Sequence, residues 1–195
     1  MKKYKLTKET LQFAGRTLHR IKALKDFDSI KAGEFGGWIE NEKNLSQDDN
    51  AWIYGNAMVF DNAEVYDNAK VYGNANVSGN AEVYGNANVS DYAKVYGNAV
   101  IKGDAKVHDA VGYIVFKNFW SSGRYFTWTS SNNKWSVGCF YGTGEELIKK
   151  AYADSEKSGR EYERVVRYVE SILADEKKDE QLKESISLCF SDNVR

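Results

Sequence analysis

Residues 50–109 read NAWIYG NAMVFD NAEVYD NAKVYG NANVSG NAEVYG NANVSD YAKVYG NAVIKG DAKVHD, ten hexads with no gap between them. Ala holds the second place of all ten, Val the fourth except at Ile53 and Ile101, and Gly or Asp always the sixth. A fixed short period of this kind marks a repeat architecture. Within each hexad the apolar residues fall two apart and then the count resets, which suits a short strand and a corner rather than a helix. The corner types, Gly or Asp and then Asn, tolerate positive φ and form turns. Three strands and three corners close one coil of 18 residues. The spacing therefore predicts a triangular prism of stacked, parallel-paired coils.

If residue n lies over residue n−18, the inward columns are Val59, Val77, Val95; Val65, Val83, Ile101; and Ile53, Val71, Val89, Val107. Outward, Tyr54, Tyr72, Ser90 and His108 share one column, and Tyr66, Tyr84 and Lys102 another. Corner columns of Asn62, Asn80, Asn98 and of Asn68, Asn86, Asp104 can hydrogen-bond along the stack. An aliphatic residue followed four places later by a small one, as in Val59 and Ala63 or Val65 and Ala69, resembles the hexapeptide-repeat left-handed β-helix family. The left hand is what that resemblance implies; general crossover rules favour the right.

The flanks differ. Residues 1–37 are expected to form a small β cap, with short strands around Tyr4, Leu6, Leu11, Phe13, Leu18 and Ile21, and a turn at Ala14-Gly15-Arg16. Eight Lys and Arg against one acid in the first 25 residues read as a solvated strand face more readily than as an anion-binding surface. The prism is assigned to 38–109, its first coil irregular over 38–49, and an open end needs a cover. Residues 110–195 read as a C-terminal α+β unit: strands in YIVFKNFW, RYFTWTSS and NNKWSVGCFYG, a hairpin at Asn132-Asn133, then helices. Thr143-Gly144-Glu145-Glu146 has capping-box spacing, and Leu147, Ile148, Ala151 and Tyr152 follow on one face. Ser158-Gly159 should break that helix. Tyr162, Val165, Val166, Val169, Ile172 and Leu173 then form an apolar stripe, and Leu182, Ile186, Cys189 and Phe190 a last segment. The fold class is mainly β, about four coils with a helical tail.

Composition narrows the function. A net charge of −1 gives no pull toward nucleic acid or a membrane surface, and no apolar run approaches a membrane span of about 18 residues. The N-terminus has no apolar signal core, and Cys139 and Cys189 fit neither a disulfide framework nor zinc spacing, so a cytoplasmic protein is expected. Cys139 reads as a buried small hydrophobe. Glu64 and Glu82 stack on one wall, a solvated pair more readily than a metal site.

A narrower resemblance lies in YKLTKET, LHRIKALKDF, GEFGGWIE and NLS ahead of the hexads, which looks like the start of bacteriophage and prophage hexapeptide-repeat proteins. It implies phage origin and no particular reaction. The wider family includes acyltransferases in which a His serves as general base between prisms of a trimer. This chain offers His19 and His108, and His108 reads as an ordinary surface residue in a column otherwise filled by Tyr and Ser. The expectation is therefore not an enzyme, with no catalytic, cofactor-binding or metal-ligating residues. It is a phage-encoded binding protein that grips a host protein or complex, an inhibitor of a host process such as antiviral defence. A hexapeptide-repeat acyltransferase and a minor virion protein are the alternatives. The expected binding wall carries Trp52, Tyr54, Lys70, Tyr72 and Lys106, aromatics with charges as at protein–protein hot spots. The stripe from Tyr162 to Leu173 is expected to drive homo-oligomerisation, against the 113–141 sheet or a second subunit.

Overall fold

The computed structural model describes residues 1–109 and 111–191, with backbone alone at 180 and 184–191. They form two compact units, Met1–Thr143 and Gly144–Arg195. The first begins with β1 (Tyr4–Phe13), β2 (Arg16–Ala23) and β3 (Phe35–Ile39), followed by a single 3-10 turn at Glu42–Asn44. Ten two-residue strands come next: β4 (Trp52–Ile53), β5 (Met58–Val59), β6 (Glu64–Val65), β7 (Lys70–Val71), β8 (Asn76–Val77), β9 (Glu82–Val83), β10 (Asn88–Val89), β11 (Lys94–Val95), β12 (Val100–Ile101) and β13 (Lys106–Val107).

They stack as the hexads require. One face runs β3-β5-β8-β11, the second β6-β9-β12 and the third β4-β7-β10-β13, all parallel, making a β-solenoid of about four turns. Val65 pairs with Val83 and Val83 with Ile101, and the third face runs Ile53, Val71, Val89, Val107 in register. Every hexad Ala and every one of these inward residues is wholly buried. Ile39 pairs with Val59 and Leu45 bridges Val65, a step of 20 residues, so the first coil carries two extra residues before Ile53.

The corners show why their residue types recur. Sixth-place residues from Gly55 through Gly103, Asp61, Asp67 and Asp91 included, all have positive φ. Asp61 and Asp67 also use their carboxylates, accepting the N–H of Gly79 (3.2 Å) and Gly85 (3.1 Å) one coil on. A Cβ on Gly73 (φ +71°) would lie 2.8 Å from the Asp91 backbone nitrogen, whereas one on Gly97 (φ +73°) meets nothing within 4 Å. Gly97→Ala should therefore cost only the left-handed strain, about 1–2 kcal/mol. Gly73→Ala adds a clash with backbone and should cost measurably more. Equal chemical-denaturation midpoints for the two variants would refute this stacking.

The ends of the prism are sheet edges that need partners. Alternate residues of each strand face the following coil, as where Glu82 N–H donates to Ala99 O (2.9 Å) and Tyr84 N–H to Ile101 O (3.0 Å). Each end coil is thus left with unpaired backbone groups, C=O and N–H alike, as on any sheet edge. Donors close the first end. The Lys3 ammonium donates to Asp48 O (2.9 Å) and Ala51 O (3.0 Å), and the Tyr4 hydroxyl to Leu45 O (2.7 Å), with Glu42 O 3.0 Å from the same oxygen. On the first face β2 pairs antiparallel with β3 instead. At the last end one hydroxyl per face accepts an N–H. Tyr96 N–H donates to the Tyr113 hydroxyl (3.2 Å), Val100 N–H to Thr127 Oγ1 (2.9 Å) and Lys106 N–H to Ser131 Oγ (2.8 Å).

Those hydroxyls belong to or follow an antiparallel sheet of four strands, β14 (Tyr113–Lys117), β15 (Tyr125–Thr129), β16 (Lys134–Val137) and β17 (Phe140–Gly142), in chain order. Trp128 Nε1 donates to Asn133 Oδ1 (2.8 Å) across the 130–133 turn. Gly138 and Cys139 make the two-residue turn between β16 and β17. Cys139 is consequently exposed, which corrects the reading of it as a buried hydrophobe.

The second unit is α1 (Gly144–Asp154), starting directly after Thr143, and α2 (Glu156–Ser191). The helix break falls at Ser155, three residues before the expected one. Gly159 lies inside α2, where a Cβ would collide with the Tyr152 ring. A glycine here permits close approach of the helices rather than ending one. Leu147, Ile148 and Ala151 of α1 and Tyr162, Val166 and Val169 of α2 are the buried apolar residues. Arg167 ties the pair together, reaching Glu145 (2.5 Å) and Glu170 (2.9 Å). The backbone stays helical to Ser191, while the side chains of Ile186, Cys189 and Phe190 lie outside the described residues.

Candidate active site

The outward column at the end of the third face holds Tyr54, Tyr72, Ser90 and His108, one residue per coil. Ser90 is wholly buried, and His108 lies over it on the last coil. The Ser90 hydroxyl is 2.7 Å from His108 Nδ1 and donates to Asp91 Oδ2 at 2.9 Å. Asp91 is the corner residue that follows, with φ +55°, and its Oδ2 lies 3.4 Å from the same Nδ1. Since the hydroxyl hydrogen goes to Asp91, the matching arrangement has Nδ1–H donating to Ser90 Oγ. That tautomer leaves Nε2 with its lone pair free. The imidazole is about half exposed, at 53%. Ser90 is sealed from solvent and is not placed to act as a nucleophile. The arrangement is that of a base whose second nitrogen is held by a hydroxyl and a carboxylate.

The other residues expected to act do not join this grouping. His19 packs in the β1–β2 hairpin, Nδ1 3.4 Å from Thr7 O. Trp52 is 1% exposed, covered edge-on by Phe27 (5.3 Å between centroids) and Tyr4 (6.1 Å). Lys70 pairs with Asp28 at 3.0 Å, which holds its ammonium pKa up and the carboxyl's down, each mainly through that hydrogen bond. Tyr54 is half-buried, and Tyr72 and Lys106 are exposed. Glu82 accepts the Tyr66 hydroxyl (2.9 Å), and burial and that contact raise the Tyr66 pKa. Tyr66 stacks on Tyr84 at 4.6 Å, and the Lys102 ammonium lies over the Tyr84 ring. Val165, Ile172 and Leu173 are half-buried. Cations near the N-terminus are largely satisfied by the chain's own acids: Lys2 with Glu42, Arg20 with Glu9, and Arg16 with Asp61 and Glu40. Among the described residues no helix is long and apolar enough to cross a membrane.

The Ser90–Asp91–His108 grouping was readable in part. Listing the columns puts Ser90 beneath His108, and the adjoining acid completes the set.

No protein-family model matches the chain. It is similar to the uncharacterized acetyltransferase YdcK of Escherichia coli (strain K12), 39% identical over 69 residues, or 31% of this chain and 21% of that protein. The chain thus spans about a fifth of the length of the curated relative it matches. This similarity overturns the expectation of a protein that is not an enzyme, because the stretch is shared with a protein bearing an acetyltransferase name.

Proposed function

We propose that the chain is an acyl-transfer protein of the hexapeptide-repeat kind, with His108 its general base. The observation that carries this reading is the anchoring of His108 Nδ1 by Ser90 and Asp91, which leaves the Nε2 lone pair free on a half-exposed imidazole. The similarity to a protein named as an acetyltransferase supports it. An acceptor hydroxyl or amine gives its proton to Nε2 as its oxygen or nitrogen attacks the carbonyl carbon of an acyl thioester. The tetrahedral adduct collapses with cleavage of the C–S bond, and the leaving thiolate takes the proton from the imidazolium.

The test is release of free thiol from acetyl-coenzyme A by the full-length protein, with small amines and polyols as acceptors. His108→Asn should lower the rate by roughly 10²–10⁴ while leaving the melting temperature near the wild type's. Absence of thiol release above the buffer rate, or an unchanged rate in His108→Asn, would sink the reading.

A second reading has its own observation. Tyr72, Tyr92 and Tyr96 stand 36%, 75% and 62% exposed between the second and fourth coils. Aromatics of this exposure on a rigid solenoid suit a protein partner, as an inhibitor of a host process would need. Tyr72→Ala with Tyr92→Ala should abolish capture of such a partner and leave thiol release unchanged. Loss of both together would show that one surface does both.

A further inference from the structure

The last coil carries a cavity that the acyl-transfer reading does not use. It measures about 390 Å³ and is lined by Tyr96, Asn98, Tyr113, Ile114, Val115 and Tyr125, with Gly97 at the corner between them. Its three tyrosines come from three different elements: the end of β11, β14 and β15. Among the described residues none of these rings forms a close pair with another. Tyr113 is fixed, because its hydroxyl accepts Tyr96 N–H and donates to Lys94 O (3.1 Å). Tyr96 and Tyr125 remain exposed at 62% and 38%.

Asn98 supplies the polar element. The corner ladder runs from Asn62 Nδ2 to Asn80 Oδ1 (3.1 Å) and from Asn80 Nδ2 to Asn98 Oδ1 (3.3 Å). Each amide donates onward, and Asn98 is the last rung. Residue 116, one coil further, is Phe116 of β14, so the Asn98 amide N–H donors have no rung to continue to. The ladder therefore ends on a donor at the cavity wall. No charged side chain lines the cavity; the nearby Lys117 ammonium lies over the Tyr125 ring, 5.6 Å from its centroid.

We infer that this cavity binds a pyranose ring. Aromatic walls with an amide donor and no lining charge match a ligand with an apolar C–H face and a hydroxylated edge. A flat nucleobase favours a slot between parallel rings, which these separate walls do not form. A phosphate or carboxylate ligand would want a cation in the lining. The inference is independent of the acyl-transfer reading, since none of its residues is Ser90, Asp91 or His108.

Calorimetric titration of the full-length protein with methyl β-glucopyranoside, N-acetylglucosamine and glucuronate tests it, with adenosine as the contrasting probe. Saturable binding of at least one of the sugars is expected, weakened about tenfold or more by Tyr96→Ala and by Asn98→Ala. Both substitutions leave the backbone ladder intact, and unchanged circular dichroism would confirm the fold. Preference between glucoside and glucuronate reports whether the Lys117 ammonium contributes. Absence of saturable binding by all three sugars, saturation by adenosine alone, or wild-type affinity in both variants would overturn the inference.

Discussion

Val83→Asp should melt far below the wild type, while Glu82→Gln melts within about a degree or two of it. The residues are neighbours on β9, and their side chains point to opposite sides. Val83 is wholly buried between Val65 and Ile101, and its environment is the apolar column of the prism. A carboxylate there has no cation and no donor, so it either stays charged in a dry column or takes up a proton and keeps unsatisfied oxygens. Either state costs several kcal/mol. Parallel stacking spreads the damage, because displacing one strand disturbs the coil on each side. Glu82 accepts one hydrogen bond, from Tyr66. A glutamine oxygen accepts it equally well, so the cost should stay near half a kcal/mol or less. Equal melting temperatures in thermal circular dichroism would mean that the inward and outward sides are assigned wrongly.

The prism was legible because its information is periodic. Any hexad names its inward Val, its Ala and its corner, and the step of 18 then fixes the partner. The ends were not legible for the opposite reason. Lys3, Tyr4, Thr127 and Ser131 act once each, on backbone atoms 25 to 48 residues away, and an isolated lysine or hydroxyl carries no sign of that in its neighbours. The basic head read as a solvated face, yet Lys3 within it is 0% exposed. Trp52 shows the limit of periodicity from the other side. Its place in the hexad is outward, but Phe27 and Tyr4 of the first 37 residues cover it. Gly159 misled because glycine both ends helices and lets them approach, and only the Tyr152 ring decides which. At the candidate site, the column order put Ser90 under His108, but the hydroxyl's direction toward Asp91 needed coordinates.

Lys3→Met should destabilise the chain by about 2 kcal/mol at pH 7, and the deficit should widen as the pH rises to 9. The ammonium caps carbonyls at the first end of the prism, Asp48 O and Ala51 O, with Asp49 O at 3.5 Å. Methionine fills similar volume, but it leaves those carbonyls without the donor that replaces a preceding coil. Against this stands the cost of burying a charge, which the substitution removes. Two observations decide the balance in favour of the lysine. Its acceptors are at hydrogen-bond distance, and Asp48 and Asp49 lie near enough to favour the charged form. Burial nonetheless dominates and lowers the Lys3 pKa from 10.5 to about 8, with Lys25 adding a small push the same way. The sign follows from proton counting. Between pH 8 and 10.5 the unfolded chain holds a proton on Lys3 that the folded chain has released, so wild-type stability rises with pH in that window. Buried Tyr4 and half-buried Tyr66 have raised pKa values. They act oppositely, but only where the unfolded phenols ionise, near pH 10. Lys102, whose pKa burial also lowers, is common to wild type and variant, so their difference from pH 7 to about 9 isolates Lys3. Urea denaturation of wild type and Lys3→Met at pH 7, 8 and 9 reads the difference directly. A variant as stable as the wild type at pH 7 would show that water or rearrangement satisfies the open carbonyls. A constant deficit across the three pH values would show that Lys3 keeps its proton in the folded prism throughout.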